Sequence, residues 1–310
     1  MSQPQRFEEI TQVNANQFVQ IDTGSRQNGA HTRIVRRYYE QNTKLFFRLG
    51  GASSYAIHRA VWANGVKTFQ EAINYSNTQL VEAIHPLAQD TPTLKIADLG
   101  CGLGGSLFYL AQFFNSPFIG IGLTISPSQA KLANEQNKNM PMRNITFLEG
   151  DFFHVPLCAG LDVAYSIEAF CHAPEAAPYL NEVARLLRPG GRWVICDDFL
   201  NAPPANDQHA FWLDAYKTGW RVPNIHTVDS IVKQAQSVGL RLIKNGTFTH
   251  LLRLRTLPHR LASSIIKIAQ ALPFKHEIIP SMVGSLALQH CLKMGIIDYR
   301  FLVFERVDTK

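Results

Sequence analysis

The sequence predicts an α/β fold in which a parallel β-sheet carries helices on both faces. After residue 94, short apolar runs alternate with windows of helical periodicity, which is typical of strand–helix–strand units. The first of these runs ends in a glycine-dense turn that leads into a helix. Of the 310 residues, 46% are hydrophobic and 17% are charged, so the chain can bury a core and is not predominantly disordered.

The first 93 residues precede the predicted sheet. Residues 1–31 are polar and rich in Gln and Asn, which predicts a loosely held N-terminal arm. From Thr32 to about Leu87, apolar residues recur every three or four positions, and Gly50-Gly51 interrupts the pattern. This periodicity predicts a helical cap over residues 32–93.

Residues 94–310 are predicted to form the sheet domain. Its strands are predicted at Leu94–Leu99, Phe118–Leu123, Ile145–Leu148, Leu161–Tyr165, Arg192–Cys196, Arg241–Lys244 and Arg300–Phe304. The helices between them are predicted at Ser106–Phe113, Ser126–Asn137 and Ala177–Leu187. Insertions at about 201–228 and 251–296 break the alternation. Because open α/β sheets bind ligands at the carboxyl ends of their strands, we expect these insertions to form lids there.

Several absences from the sequence narrow the class of protein. No stretch of 18 apolar residues occurs, so no transmembrane helix is expected. The N-terminal residues lack the apolar core of a secretory signal. The five cysteines are scattered and odd in number, which predicts free thiols in a reducing compartment. A cytoplasmic location is the resulting expectation.

The excess of positive charge, formally +6, is concentrated in two clusters. The segment from Arg26 to Lys67 contains eight Lys and Arg residues and a single acid, Glu40. A second cluster without acids contains Arg253, Arg255, Arg260 and Lys267. Nucleic acid, an acidic membrane surface, an anionic small substrate or a solvated helix face would each explain such clusters, and charge alone does not choose among them.

The glycine-dense turn indicates a ligand site. Gly100, Gly102 and Gly104 permit positive φ angles and a close approach of a ligand to the backbone. The helix that follows offers free N–H groups. The spacing is neither G-x-G-x-x-G nor that of a phosphate-binding loop, and Asp98 suits an ammonium group better than a pyrophosphate. The turn therefore points away from a dinucleotide.

Four motifs, in order, resemble those of class I S-adenosylmethionine-dependent methyltransferases. They are Asp98–Gly105 (DLGCGLGG), Phe118–Gln129 (FIGIGLTISPSQ), Glu149–Phe153 (EGDFF) and Leu186–Gly191 (LLRPGG). The resemblance is strong over residues 94–200 and weaker in the flanks. It implies a Rossmann-like sheet that is mostly parallel with an antiparallel last strand, an N-terminal helical cap, helical lids and S-adenosylmethionine as cofactor.

The resemblance also implies which residues bind that cofactor. Asp98 and the glycine turn would hold its amino-acid end, and Asp151 and Phe152 would meet the adenine. Many relatives carry an acid after the second strand that binds the ribose hydroxyls, whereas this chain has Leu123-Thr124. The pattern G-x-T-x-S-x-x-Q from Gly122 to Gln129 instead resembles the branch of cyclopropane synthases and prenyl diphosphate C-methyltransferases. The full set of implied cofactor residues is Asp98, Gly100, Cys101, Gly102, Gly104, Thr124, Gln129, Asp151, Phe152 and Ser166.

Residues 166–174, SIEAFCHAP, resemble a segment of sterol C-methyltransferases. That resemblance makes Glu168 the candidate stabiliser and base for a carbocation, with His172 as its orienting or relay partner. A cofactor-binding or helix-capping role is the alternative for Glu168, and a structural hydrogen bond is the alternative for His172. Aromatic rings would stabilise the cation. The candidate substrate residues are Arg36, Arg37, Tyr38, Tyr39, Arg48, Phe170, Trp212 and Trp220.

The basic N-terminal helix favours a prenyl diphosphate such as geranyl diphosphate as the substrate, because a diphosphate needs Arg, Lys or a metal. Mg²⁺ is possible with such a substrate, although no compact His/Asp/Glu ligand spacing occurs. Asp197-Asp198 after the fifth strand is a candidate pair, and a loop cap is the alternative for it. Sterol C-methylation, lipid cyclopropanation and O- or N-methylation of a small natural product are the alternatives. Nucleic-acid modification and a non-catalytic binding module are weaker alternatives, and a homo-oligomer is possible.

Overall fold

The structure of the protein is a computed structural model that describes residues 29–139, apart from 50–57, and residues 144–308, apart from 273–275. For residues 44–49 it describes the helical backbone alone, so the side chain of Arg48, a candidate substrate residue, lies outside the described parts. Nearly all of the predicted N-terminal arm also lies outside them. The first helix begins at Ala30, inside the stretch that was predicted as arm.

A seven-stranded sheet forms the centre of the molecule. Its strands are β1 (Leu94–Leu99), β2 (Phe118–Thr124), β3 (Ile145–Glu149), β4 (Leu161–Ile167), β5 (Leu187–Leu200), β6 (Leu240–Thr247) and β7 (Ile297–Arg306). They lie in the order β3-β2-β1-β4-β5-β7-β6, and β7 is antiparallel to both of its neighbours. The predicted fold class, including the antiparallel last strand, is confirmed.

The strand order places the ligand-binding edge. The chain passes from β1 outward to β2 and β3 and then returns to β4 on the other side of β1, so the order reverses beside β1. Asp98 is in register with Gly122 of β2 on one side and with Tyr165 of β4 on the other. Ligands of open α/β sheets bind outside the carboxyl ends of the strands at such a reversal.

Ten α-helices surround the sheet in the described residues. Their bounds are α1 (Ala30–Leu49), α2 (Phe69–Ile84), α3 (Leu87–Asp90), α4 (Gly105–Phe113), α5 (Pro127–Lys138), α6 (Ala176–Leu186), α7 (Asp207–Trp220), α8 (Val228–Ser237), α9 (His259–Ala271) and α10 (Ile278–Lys293). Alternate side chains of each strand enter opposite cores: in β1, Ile96 packs with the core of α2 and α4, whereas Ala97 packs with that of α6 and α8. Both faces of the sheet are therefore covered.

The N-terminal region differs from the continuous helical pattern that the sequence predicts. Residues 58–68 contain no helix; Val61 is fully buried and forms an isolated antiparallel bridge with Leu252. The helical prediction for this stretch is wrong because its apolar residues pair with another segment rather than with one another. After it, Thr68 and Glu71 form a capping box, and α2 begins. The buried residues of α2 pack in the core on one face of the sheet, so among the described residues α1 and the segment 58–61 are the parts of the predicted cap that reach the site.

The two predicted lids pack against each other through α7 and α10. A Cβ atom on Gly219 of α7 would lie 2.5 Å from the backbone of Gly284 in α10, so the helices cross at a distance that only glycine permits. Residues 251–258, predicted as helix, instead form a short 3-10 turn and an extended connection before α9. Among the described residues, no helix combines the length and the apolar character needed to cross a membrane.

Candidate functional site

A cavity lies at the carboxyl ends of β1, β2 and β4, under α1 and α10. It is lined mainly by apolar surface and by the loops that follow these strands. Of the residues that the sequence predicts for the site, those that line the cavity are Tyr38, Tyr39, Gly100, Cys101, Gly102, Thr124, Gln129, Asp151, Phe152, Glu168, His172 and Trp220. The structure thus brings residues from four separate motifs to one place.

The three glycines of the turn have different reasons to be glycine. Each has a positive φ angle, between +54° and +110°. A Cβ atom on Gly100 would lie 2.3 Å from Cβ of Ala169, and one on Gly104 would lie 2.4 Å from the ring of Phe147. A Cβ atom on Gly102 would meet no protein atom within 4 Å. Packing within the protein therefore explains Gly100 and Gly104, whereas Gly102 borders the open space of the cavity.

Asp98 lies beneath this turn and not on the cavity wall. Its side chain is buried in β1, and burial raises its pKa to about 7, against a smaller opposing effect of the nearby hydroxyl of Tyr165. Ser166 is likewise buried in β4 and does not line the cavity. Neither side chain lines the cavity, and their contact with the cofactor stays a prediction.

The turn after β2 presents a glutamine where many relatives carry an acid. Ser126 caps α5 by accepting a hydrogen bond from the backbone N–H of Gln129. The hydroxyl of Thr124 donates to Oε1 of Gln129 over 2.8 Å, and both side chains are buried at the cavity wall. This bond occupies the amide oxygen and orients the N–H donors of Gln129, which suit a hydroxyl acceptor such as a ribose oxygen.

Asp151 and Phe152 follow β3 at the rim of the cavity. Oδ1 of Asp151 accepts a hydrogen bond from the backbone N–H of Phe153, and Oδ2 accepts one from the hydroxyl of Thr32 over 3.2 Å. The ring of Phe152 packs edge-on against those of Phe153 and Tyr179. The loop thus offers a flat apolar ring and a carboxylate side by side, as an adenine base requires.

Glu168 follows β4 and has an unusual backbone conformation. Its φ angle of +54° is rare for a residue with a side chain and commonly marks a functional site. Its Oε1 accepts two hydrogen bonds, from the backbone N–H of Arg59 over 2.9 Å and from the hydroxyl of Tyr299 over 2.7 Å. Its own N–H donates to the carbonyl of Cys196. The carboxylate is therefore held from two parts of the chain, and the backbone of Glu168 from a third.

Arg59 connects Glu168 to a buried ion pair. Its guanidinium forms a two-pronged ion pair with Asp198, with N–O distances of 2.5 and 2.7 Å, and lies over the rings of Tyr299 and Trp220. Burial acts to lower the pKa of Arg59, but the carboxylates of Asp198 and Glu168 outweigh it and raise that pKa. Arg59 is thus charged, and its charge is balanced inside the protein.

His172 is paired with Tyr39 rather than with Glu168. Its Nε2 lies 2.8 Å from the hydroxyl of Tyr39, and its Nδ1 lies 3.4 Å from the carbonyl oxygen of Arg221. Since a carbonyl can only accept, the proton of neutral His172 is on Nδ1, and Tyr39 donates to Nε2. Burial lowers the pKa of His172 to about 4. The predicted relay from His172 to Glu168 is therefore not the arrangement found.

His58 is a second neutral imidazole at the cavity. Its Nε2 lies 2.9 Å from the hydroxyl of Ser106, in the first turn of α4. Burial lowers its pKa, and the nearby carboxylate of Glu168 opposes this only in part. His58 therefore adds a polar group to the wall without adding a positive charge.

Three polar side chains of helix α1 attach it to the rim. Besides the bond from Thr32 to Asp151, Arg36 forms an ion pair of 2.8 Å with Glu149. Glu40 accepts hydrogen bonds from Ser126 and Ser128 at the start of α5. Burial acts to raise the pKa of Glu40, but these hydrogen bonds outweigh it and lower that pKa.

These contacts change the interpretation of the basic helix. Arg36 is used at the rim, Arg37 is exposed and does not line the cavity, and the side chain of Arg48 is outside the described parts. Among the described side chains that line the cavity, there is no Lys or Arg. The described cavity therefore offers no cationic site for a diphosphate.

Two of the predicted aromatic residues lie in the core instead of the cavity. Phe170 packs against Tyr179 and Trp193, and Trp212 stacks on His290 with ring centroids 4.0 Å apart. Both rings are fully buried among these neighbours and do not line the cavity, so these predictions are corrected. Tyr38 and Trp220 do line the cavity: the hydroxyl of Tyr38 bonds to Ser281, and the indole N–H of Trp220 donates to the carbonyl oxygen of Ser281.

The Asp197-Asp198 pair does not form a metal site. Asp198 binds Arg59 and accepts a hydrogen bond from Tyr216, and Asp197 accepts one from the backbone N–H of Cys171. Burial and then the charge of Asp198 raise the pKa of Asp197 to about 7. Within the described ranges, no group of three or more His, Cys, Asp or Glu residues is arranged to hold a metal.

Comparison with known proteins agrees with this geometry. Residues 97–195, which run from β1 to β5, match a family model described as a methyltransferase domain. These residues form a methyltransferase domain. The predicted resemblance to class I S-adenosylmethionine-dependent methyltransferases is thereby confirmed.

This methyltransferase is similar to cycloartenol-C-24-methyltransferase 1 of Oryza sativa subsp. japonica, with 29% identity over 223 residues, which cover 69% of this chain and 60% of that protein. It is also 28% identical over 212 residues to O-methyltransferase rstn1 of Aspergillus nomiae, covering 68% of this chain and 90% of that protein. The chain spans between 46% and 62% of the length of the first four sterol methyltransferases that it matches.

A solved structure of geranyl diphosphate methyltransferase in complex with geranyl diphosphate (GPP) and sinefungin has a TM-score of 0.68, with 18% identity. The match covers 89% of this chain and all of that one. At this identity the likeness shows the fold alone.

The residues of the cavity fit the family's cofactor, S-adenosylmethionine. The open space at the Cβ position of Gly102 lies next to the first N–H groups of α4, and these suit the carboxylate of an amino acid. Gln129 and the Asp151–Phe152 pair stand at the ends of the neighbouring strands β2 and β3, where a ribose and an adenine would follow. None of these residues is chemically unsuited to binding S-adenosylmethionine.

Proposed function

We propose that this methyltransferase methylates a carbon–carbon double bond of a neutral, apolar isoprenoid of the sterol type. The observation that carries the proposal is Glu168, a fixed carboxylate in a strained backbone position on the wall of a mainly apolar, aromatic-lined cavity. The sequence similarity to sterol C-methyltransferases supports the same class of substrate.

S-adenosylmethionine supplies an electrophilic methyl group to such a reaction. When one carbon of a double bond gains a methyl group, the other is left with a positive charge, and loss of a neighbouring proton restores a double bond. Both hydrogen bonds that fix Glu168 end on Oε1, so Oε2 is the oxygen placed to take that proton. The negative charge of Glu168 also stabilises the cation before the proton leaves.

The aromatic wall contributes to the same task. Tyr38, Tyr39 and Trp220 line the cavity, and each ring face attracts a cation by about 0.5–2 kcal/mol. Their hydroxyl and indole groups are held by Ser281, His172 and Ser285, so the rings are fixed. Fixed rings stabilise a cation without adding a nucleophile.

The absence of cationic side chains from the described wall argues against a diphosphate substrate. A diphosphate binds through Arg, Lys or a bridging metal, whereas Arg36 and Arg59 are paired with Glu149 and Asp198. We therefore place a neutral isoprenoid above the prenyl diphosphate that the sequence favours.

The test is incubation with methyl-labelled S-adenosylmethionine and a set of acceptors: neutral sterol precursors with a side-chain double bond, geranyl diphosphate with and without Mg²⁺, and phenols. We expect label in a sterol precursor and none in the same assay with Glu168→Gln. Label in geranyl diphosphate alone would show that the substrate is a prenyl diphosphate. Label in a phenol alone would contradict methylation at carbon.

A second candidate function is O- or N-methylation, which the Tyr39–His172 pair favours. Neutral His172 presents Nε2 to the hydroxyl of Tyr39, so the pair can accept a proton from an acceptor hydroxyl or amine. The likeness to an O-methyltransferase supports the same chemistry. Loss of phenol methylation in Tyr39→Phe with retention in Glu168→Gln would favour it over C-methylation.

A further inference from the structure

Helix α9 carries a stripe of exposed large apolar side chains. Leu261, Ile265 and Ile268 are 52%, 40% and 64% exposed. Leu257, just before the helix, and Leu272, just after it, are 41% and 50% exposed. The spacing of four, three and four residues places the stripe on one face. Five of the eleven large apolar residues that are exposed in the described parts lie within these 16 positions, so the stripe is a patch and not scattered surface.

The opposite side of α9 packs in the core of the protein. Ala262 and Ile266 are fully buried in the core that contains α7 and α10. The ring of His259 packs edge-on against that of Trp212. Because the inner face is fixed in this way, the stripe cannot turn inward without breaking the core.

Positive charge borders the stripe. Arg260 and Lys267 are exposed and seven residues apart, so they share one flank of α9, and Arg253 and Arg255 are exposed in the connection before it. No Asp or Glu occurs between residues 245 and 276. The sequence therefore brings its second basic cluster and an apolar stripe to the same surface.

We propose that α9 docks the protein on the surface of an anionic lipid bilayer, with the helix lying in the plane of the interface. An apolar stripe with a basic flank is the combination that such a surface binds. Thirteen residues are too few to cross a bilayer, so the helix lies on it.

Two other occupants fit the surface less well. Single-stranded nucleic acid stacks its bases on aromatic rings, whereas the stripe is entirely Leu and Ile. A second copy of the chain would bring the same basic flank to the contact, and the segment offers no Asp or Glu between residues 245 and 276 to pair with it.

The position of α9 relates this surface to the cavity. The next helix, α10, lines the cavity with Ser281 and Ser285, and between them Met282 is 64% exposed. Docking through α9 would hold the cavity-bearing helix next to a bilayer, where apolar isoprenoids dissolve. The inference rests on the surface of α9 and does not depend on the methyl-transfer reaction.

Vesicle flotation of the full chain tests this inference. We expect binding to vesicles of phosphatidylcholine mixed with phosphatidylglycerol that is about tenfold or more tighter than to phosphatidylcholine alone, and that weakens as salt is added. The variant Ile265→Ser/Ile268→Ser should bind about tenfold or more weakly, since it removes much of the buried apolar area. The variant Arg260→Gln/Lys267→Gln tests the charges separately and is expected to fold, because both side chains are exposed.

The matched control is Leu132→Ser/Ile243→Ser, which removes two side chains that are each 42% exposed but lie on α5 and β6. It should bind like the unchanged protein. Absence of binding to the anionic vesicles, or equal losses in the control and in the α9 variants, would overturn the proposal. So would sedimentation velocity showing a dimer that Ile265→Ser/Ile268→Ser converts to a monomer, because the stripe would then be an interface between two copies.

Discussion

The hydroxyl of Tyr299 donates a hydrogen bond of 2.7 Å to Oε1 of Glu168, although 131 residues separate them in the chain. Tyr299 belongs to β7, the antiparallel strand inserted between β5 and β6, and Glu168 follows β4. The last strand of the chain therefore fixes the candidate base, with the backbone N–H of Arg59 as the second donor.

Tyr299→Phe should lower kcat and leave the KM for the acceptor nearly unchanged, because the hydroxyl acts through Glu168. The loss of one hydrogen bond to a charged group is worth about 1.5–3 kcal/mol, so kcat should fall by about tenfold to a hundredfold. Steady-state kinetics measure the split. Tyr109→Phe is the matched control, since its hydroxyl bonds to Thr78 away from the cavity; an equal fall there would show a general loss of stability instead.

Glu168→Gln keeps the shape of the side chain but removes its charge. Turnover should fall by about 10²–10⁴-fold, the usual effect of a general acid–base group. Cofactor affinity should change by less than about tenfold, or 1.4 kcal/mol. Single-turnover kinetics and calorimetry on the same preparation separate the two. Glu175→Gln, at an exposed carboxylate, is the control. Equal losses of binding and turnover would make Glu168 a cofactor-binding residue.

The sequence predicts the strands and the glycine turn because both are set locally. The alternation of apolar runs and helical windows predicts the sheet. The glycine turn is visible in the sequence because the close packing at Gly100 and Gly104 allows no other residue there. The motif residues after β2, β3 and β4 also reach the cavity, because parallel strands end at one edge.

The partners of these residues come from remote segments that no spacing reveals. Arg59 and Tyr299 reach Glu168 from before α2 and from β7, and Thr32 reaches Asp151 from α1. The predictions for Phe170 and Trp212 failed for a different reason. An aromatic residue near a motif looks the same in the sequence whether it is buried in the core, as these two are, or lines a cavity. Only the tertiary packing distinguishes the two.

Gly102→Ala should separate cofactor binding from stability. The added methyl group meets no protein atom but enters the cavity, so affinity for S-adenosylmethionine should fall strongly, whereas the φ angle of +54° costs about 1–2 kcal/mol of stability. Gly100→Ala should instead destabilise the fold, because its methyl group collides with Ala169. Calorimetry and thermal unfolding measure the pair. Unchanged affinity in folded Gly102→Ala would move the cofactor away from this turn.

His172 should make stability depend on pH in a predictable direction. Its pKa is about 4 in the fold and about 6.5 when unfolded, so between these values the unfolded chain binds more protons. The free energy of unfolding should therefore fall as the pH is lowered from about 6.5 to 4, by at most about 1.4 kcal/mol per pH unit from this residue.

Other groups contribute to the same range. Asp98 and Asp197, with pKa values raised to about 7, act in the opposite direction, and His58 acts in the same direction. The diagnostic quantity is therefore the difference between the unchanged protein and His172→Gln in denaturant unfolding at several pH values. A difference that is independent of pH would mean that His172 is not held neutral by burial.

Glu40→Gln should loosen α1 from the rim of the cavity. The carboxylate of Glu40 accepts hydrogen bonds from Ser126 and Ser128, and these bonds keep its pKa low, so the charged form stabilises the contact. An amide presents only one oxygen to these donors. Hydrogen exchange should therefore become faster in residues 30–43, and the KM for the acceptor should rise because Tyr38 and Tyr39 are on the same helix. Glu135→Gln is the matched control on α5, where the exposed carboxylate lies 4.0 Å from Lys131 of the same helix. Faster exchange in α1 with an unchanged KM would show that α1 is held at the rim but does not shape the acceptor site.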